Sequence, residues 1–173
     1  MQPNKSSIFV GLILTYLILS GCAKPVQLAS LEADNAAKKF CSAKEFGVLY
    51  IYRPHHFGDT ILNTVLYLDD QGVGRLKPDT FIKLPLEEGT HYVRTLLEEA
   101  NGDIYEKSVK TNHRLEVKKE EIYYLEIENR AYWTQHGFLI HQKSDKVAQK
   151  EILKLKLVEQ EEFGYIAPKL LAD

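Results

Sequence analysis

From Val48 onward, apolar side chains tend to recur at every second position, and this period constrains the fold more than any other feature of the sequence. A period of two is typical of β-strands, whose successive side chains point to opposite faces of a sheet. Strands are predicted at 48–53, 64–68, 73–76, 81–84, 91–98, 104–109, 114–117, 122–128 and 138–141. Pro, Gly, Asn and Asp residues separate them, and many short strands with such spacing favour a small antiparallel β-sandwich.

One turn has a particularly specific signature. Asn101-Gly102 stands between the strands predicted at 91–98 and 104–109. A type I′ turn needs positive φ at both central residues, and Asn-Gly meets this need best. We therefore expect these two strands to form a hairpin.

Helices are predicted at the two ends of the strand region. Ser30 is placed to cap a short N-terminal helix that runs to Phe40, and Ser144-Asp145 to cap a C-terminal helix that runs to Leu155. The expected buried faces are Ala33, Ala36, Ala37 and Phe40 in the first helix, and Val147, Ala148, Ile152 and Leu155 in the second. We expect residues 31–173 to form a single domain.

The N-terminal residues have the pattern of an export signal. An apolar run covers residues 8–19, after a segment that contains one basic residue, Lys5. A membrane-spanning helix needs about 20 apolar residues, whereas the apolar region of a secretory signal needs only about 7 to 15. The run therefore indicates a signal peptide, predicted here to occupy residues 1–21.

The residues that follow, Leu19-Ser20-Gly21-Cys22, resemble the lipobox of bacterial lipoproteins. The resemblance implies cleavage between Gly21 and Cys22, a diacylglyceryl group on the Cys22 sulfur and an acylated new amino terminus. Residues 22–30 would then be a lipidated tether, and Ala23 in the second position would favour the outer membrane, with the domain facing the periplasm or the cell surface. The alternative is an ordinary cleaved signal with a chance cysteine.

Several short motifs occur together in one order along the chain. They are Ala36-Ala-Lys-Lys-Phe40, Tyr50-Ile-Tyr-Arg-Pro54, Phe57-Gly58, Val73-Gly74-Arg-Leu76, Phe81, Gly89-Thr-His91 and Tyr123-Tyr124. Together they resemble an uncharacterised family of bacterial lipoprotein domains, over roughly residues 36–129. The sequence departs from that family at 41–45, where a proline and a glycine are replaced, and at Glu88, which replaces the proline of a late turn. The resemblance implies a sandwich similar to PEGA-type modules and no established activity.

Two histidines in the loop after the first predicted strand, His55 and His56, are candidate binding residues together with Arg53. With Asp59 they could converge on a metal ion, but the sequence identifies no further ligand, so we interpret them as solvated loop residues. Cys41 has no CxxC partner, and we interpret it as a free, partly buried thiol, with an intermolecular disulfide as the alternative.

Tyr132 and Trp133 form an aromatic pair flanked by polar residues, and they are the remaining candidate binding residues. Such a pair could stack on a sugar ring, although aromatic residues of this kind more often complete a sandwich core.

Charge and motifs narrow the function classes. Lys and Arg number 22 against 24 Asp and Glu, with no basic patch, which argues against nucleic acid as a partner. No phosphate loop, nucleophile elbow or paired carboxylate motif is recognisable, and no cofactor or metal is predicted. We therefore expect a non-catalytic binding or structural module whose partner is an envelope protein or peptidoglycan. The alternative is a hydrolase or metal-dependent enzyme with a site built from loops.

Overall fold

The computed structural model describes residues 25–56, 63–98, 104–105, 112–131 and 136–160. The helices are α1 (Leu31–Ala37) and α2 (Asp145–Ile152). The strands are β1 (Gly47–Arg53), β2 (Asn63–Leu68), β3 (Gln71–Leu76), β4 (Thr80–Leu86), β5 (Gly89–Glu98), β6 (Ile104–Tyr105), β7 (Asn112–Val117), β8 (Ile122–Ala131), β9 (His136–Gln142) and β10 (Lys156–Leu157). The predicted mainly β fold with a helix near each end is confirmed.

The strands form two sheets arranged as in a β-sandwich. Sheet 1 has the order β10-β4-β1-β8-β9, and sheet 2 has the order β3-β2-β5-β6, with β7 also paired to β5. Antiparallel pairing dominates, as predicted, but β1 pairs with β8 and β10 with β4 in parallel, so sheet 1 is mixed. The parallel pairs join segments distant in sequence, because neighbouring parallel strands need a long connection.

The main core lies between the two sheets. Sheet 1 contributes side chains such as Leu49 and Leu125, and sheet 2 contributes Leu66 and Val93, all of them fully buried. Apolar burial of this kind is the dominant favourable term in folding. It also defines an outer face of each sheet, on the side away from the core.

The outer face of sheet 1 is covered by both helices. Ala37 of α1 and Ala148 of α2 pack in a second cluster with the rings of Tyr50 and Tyr124, whose centroids are 5.4 Å apart. The Tyr50 hydroxyl donates a hydrogen bond to the Ala37 carbonyl at 2.7 Å. With apolar layers on both sides, every residue of β1 is buried.

Helix α1 buries only part of the predicted face. Ala37 is buried and Phe40 packs against the same cluster, as predicted. Ala33 and Ala36 are exposed instead, and Asp34 is buried. The Asp34 carboxylate accepts hydrogen bonds from the Lys38 ammonium and from the Leu157 backbone N–H, both at 2.8 Å. These bonds join α1 to β10 and turn the acidic side chain inward, because a buried carboxylate must be paired.

Residues 26–29, shortly before α1, are bound to the domain. We call residues 26–29 the N-terminal strip. Gln27 accepts a hydrogen bond from the Glu159 N–H, and the Ala29 N–H donates one to the Leu157 carbonyl, each at 3.0 Å. Val26 packs against the main core. This part of the expected tether therefore extends sheet 1 beyond β10.

Several sequence predictions fall wholly or partly outside the described residues. The export signal and Cys22 lie there, as does the Asn101-Gly102 turn, although the flanking strands pair antiparallel, with Glu98 opposite Ile104. Among the described residues, neither helix has the length and apolar character needed to cross a membrane.

Candidate functional site

One of the two predicted contact loops begins at a defined end of sheet 1, where β1 pairs in parallel with β8. Tyr52 lies opposite Glu126, so both strands run toward the same end, where His55 and His56 follow β1. Tyr132 and Trp133, in the second loop, lie outside the described residues.

Arg53 does not contribute to a surface at this end. Its side chain is 0% exposed, so the expectation that it lies in an exposed binding loop is wrong. It ends β1 facing the interior, where Nη1 donates a hydrogen bond to Thr64 Oγ1 at 3.1 Å and the guanidinium lies 5.2 Å from the Phe138 ring centroid. The hydrogen bond to Thr64 joins the two sheets, and Phe138 of sheet 1 supplies the π partner that a buried guanidinium favours.

Both histidines after β1 are exposed, and one of them approaches a buried carboxylate. His56 Nε2 lies 3.7 Å from Glu126 Oε1. The other Glu126 oxygen, Oε2, accepts a hydrogen bond from Lys143 Nζ at 2.7 Å. This hydrogen bond and the neighbouring acidic charges raise the pKa of Lys143. The Glu126 carboxylate thus lies between the Lys143 ammonium and the His56 imidazole at the edge of the helix-covered face.

Two further pairs surround Glu126 on the same side of sheet 1. His141 lies opposite Glu126 in the sheet, and its Nε2 is 2.7 Å from Glu128 Oε2. The Tyr52 hydroxyl donates a hydrogen bond to Glu151 Oε2 at 2.7 Å. Burial and this carboxylate raise the pKa of Tyr52. We call these seven residues the Glu126 cluster: Tyr52, His56, Glu126, Glu128, His141, Lys143 and Glu151.

The arrangement of the Glu126 cluster suits binding. Its inner groups, Glu126 and Tyr52, are buried and position their partners, whereas His56, Glu128 and His141 reach solvent. Exposed imidazoles beside carboxylates can exchange hydrogen bonds with a polar ligand. Within the described part of the chain, no group of three or more His, Cys, Asp or Glu residues is arranged to hold a metal ion.

Sequence reasoning missed Glu126, Glu128, His141 and Lys143. A usable signal was present, since Glu126 and Glu128 alternate with apolar residues in β8 and must share one face. Their meeting with His141 and Lys143 depends on the pairing of β8 with β9, which composition does not show.

Cys41 occupies the connection between α1 and β1. It is a free cysteine and is exposed, so the predicted partial burial of its thiol is wrong. Its Sγ contacts the carbonyl of Lys39 at 3.7 Å.

A second charged cluster lies on sheet 2 and is buried. Arg75 Nε donates to both Glu98 oxygens, at 3.0 and 3.1 Å, and Asn63 Nδ2 donates to Glu98 Oε2 at 3.0 Å. The residues come from β3, β5 and β2, so this ion pair ties together three strands. Because the charged groups of this cluster are buried and paired with each other, we interpret the cluster as stabilising the fold rather than binding a ligand.

Comparison with known proteins gives one related sequence of unassigned role. The chain is 39% identical over 89 residues to an uncharacterised protein of Haemophilus influenzae. The alignment covers 51% of this chain and 52% of that protein, so the chain spans about half the length of the relative it matches. No family model matches the sequence, and no solved structure matches it.

Proposed function

We propose that this protein is a lipid-anchored lipoprotein of the bacterial cell envelope, of the outer membrane in particular, that acts as a non-catalytic binding or structural module. The lipobox-like residues Leu19 to Cys22 support the anchor, and the resemblance of residues 36–129 to lipoprotein domains agrees with it. One structural observation supports the proposal most directly: the N-terminal strip, which starts four residues after Cys22, is hydrogen-bonded to the domain. A lipid on Cys22 would therefore hold the whole domain at the membrane surface.

Confinement at the membrane explains how a modest binding surface would suffice. Any partner held at the same membrane has a raised effective concentration, so weak contacts become productive. The exposed part of the Glu126 cluster, His56, Glu128 and His141, supplies polar donors and acceptors for such a contact. The partner would be another envelope protein or peptidoglycan, both of which present amides, carboxylates and hydroxyls.

The anchor is tested by intact-mass analysis of the protein purified from its native membrane. We expect loss of residues 1–21 and the mass of a lipid adduct on Cys22. Cys22→Ser should abolish the adduct and release or misprocess the protein. An unmodified amino terminus at another residue in the native protein would contradict the proposal.

The binding surface is tested by cross-linking in intact cells followed by affinity purification. The variant His56→Ala/His141→Ala should reduce recovery of the cross-linked partner while leaving the melting temperature and the lipid adduct unchanged. The control is Arg114→Ala, which removes an exposed ion pair with Glu116 on β7. Equal recovery with both variants would count against this surface. A metal-dependent turnover lost in His55→Ala would favour the enzyme alternative instead.

A further inference from the structure

The first described residues limit how far the domain can lie from an anchor at Cys22. Only Ala23 and Lys24 separate Cys22 from Pro25, and the N-terminal strip begins at the next residue. Three Cα-to-Cα steps span at most about 11 Å. A domain anchored in this way has one edge against the headgroup layer, and the remaining question is which surface it presents there.

Two orientations satisfy this reach. The strip can stand upright, with only its first residue near the lipid, or it can lie flat along the bilayer. The hydrogen bonds from Glu159 to Gln27 and from Ala29 to Leu157 hold the strip to β10, so the domain tilts with it as one body. The choice therefore depends on the side chains that the strip and the start of α1 expose.

Two of those side chains, Leu28 and Leu31, are large and apolar, and the exposed polar ones beside them are Gln27, Ser30 and Glu32. Leu28 is 46% exposed and Leu31 is 70% exposed, the highest value among the large hydrophobic residues that the structure describes. Both follow within a few residues of the anchor. Apolar surface next to a membrane gains free energy by entering the interfacial region, as in amphipathic segments that lie on bilayers.

We infer that the anchored domain lies with its N-terminal strip flat on the membrane, and that Leu28 and Leu31 enter the headgroup and acyl boundary. The inference rests on the proposed lipid anchor and adds a second, non-covalent contact with the same bilayer. The contact fixes the domain's orientation, so that the other surfaces of the sandwich face a constant direction relative to the membrane. Lys24, between the anchor and the strip, would meet anionic headgroups favourably.

The test uses the full lipidated protein, reconstituted into phosphatidylethanolamine and phosphatidylglycerol vesicles. Cys41→Ser removes the exposed thiol, and an environment-sensitive fluorophore is attached at Leu31→Cys or, in a second variant, at Leu28→Cys. The matched control is Tyr92→Cys, since Tyr92 is an apolar residue of similar exposure, 52%, on sheet 2. Quenching by iodide in the water is compared with quenching by doxyl-labelled lipid.

We expect labels at 28 and 31 to be quenched severalfold more by doxyl lipid than by iodide, and the label at 92 to show the opposite preference. If the protein floats with the vesicles and all three labels respond alike, the orientation is refuted and the anchor stands. If the purified protein carries no lipid adduct and does not float with the vesicles, both the anchor and the orientation are refuted. The label at 31 could also be shielded from iodide only at a high density of protein in the vesicles. Loss of this shielding on dilution with lipid would show that a second copy covers Leu31, and it would refute the inference.

Discussion

Two histidines on sheet 2 respond to their surroundings in opposite directions. Burial by itself lowers the pKa of His91, but its contacts with Asp69 Oδ2 at 2.6 Å and the Glu87 carbonyl at 3.0 Å, with the charges of both residues, outweigh burial and raise that pKa. Burial alone lowers the pKa of His113, whose Nε2 is buried without a hydrogen-bond partner among the described residues. The two side chains should therefore give opposite pH dependences of stability.

For His91, the raised pKa means that the folded state binds the proton more tightly. Its contribution to the free energy of unfolding is full below about pH 6.5, the usual pKa of histidine, and is lost as pH rises through the folded-state pKa. For His113 the contribution to the free energy of unfolding is present above about pH 6.5 and is lost as pH falls through its lowered pKa.

The variant His91→Gln should then lower the free energy of unfolding most in acid. The variant His113→Leu should make the free energy of unfolding less sensitive to acid. Urea unfolding at a series of pH values measures the free energy of unfolding of each variant and of the parent. If this free energy changed with pH in the same way for all three proteins, the opposite pKa directions of the two histidines would be contradicted.

The buried pair of Arg75 and Glu98 should be the costliest ion pair to break. Glu98→Ala removes the carboxylate that the buried Arg75 guanidinium contacts, and breaking a buried pair in this way costs about 3 to 5 kcal/mol. The matched control is Glu116→Ala, which removes the exposed partner of Arg114 and should leave the free energy of unfolding nearly unchanged. Chemical denaturation compares the two, and similar midpoints would show that the sheet 2 cluster contributes little.

At the scale of elements, two glycines that begin strands should behave differently. A Cβ on Gly47 would collide with Val117 Cγ1 and lie 2.9 Å from the Lys118 carbonyl, where β1 passes the end of β7. Gly47→Ala should therefore cost about 1 to 3 kcal/mol through overpacking. Gly89 has a φ of +146°, and a Cβ added there would meet no atom within 4 Å, so Gly89→Ala should cost only its backbone strain. Adding Val117→Ala should partly restore the melting temperature of Gly47→Ala but not that of Gly89→Ala. Thermal unfolding measures this, and an unchanged melting temperature in the Gly47→Ala/Val117→Ala double variant would show that the strain does not come from Val117.

For the whole molecule, the connectivity predicts slow folding. β1 has β4 and β8 as neighbours, and β10 returns from near the end of the described chain to pair with β4. Folding slows as contacts become less local, and all-β domains of this kind fold in milliseconds to seconds, about a thousandfold slower than helical bundles. Stopped-flow refolding followed by circular dichroism should show a main phase in that range. A dominant submillisecond phase would mean that the sheet 1 pairs form after the observed transition.

Local patterns in the sequence were sufficient to predict most elements. The period of two predicted nine strands, and the structure has a strand at each of these positions where it describes the residues. Ser30 and Ser144 predicted where the two helices begin. The two-residue strand β10 was missed, because so short a segment has no period of its own. The lipobox at Leu19 to Cys22 and the binding roles of His55, His56, Tyr132 and Trp133 stay predictions, since they concern modification and partners.

The sequence by itself determined which segments extend, turn and coil, because these depend on side-chain periodicity, backbone freedom and capping within a few residues. The tertiary structure decided which segments become neighbours. The parallel pairing of β1 with β8 created the Glu126 cluster, and the close approach of the two sheets buried Arg53. Asp34 turned inward, where β10 offers it an N–H in addition to the ammonium of Lys38. Charged side chains follow whichever partner the long-range packing supplies, and that partner has no fixed spacing along the chain.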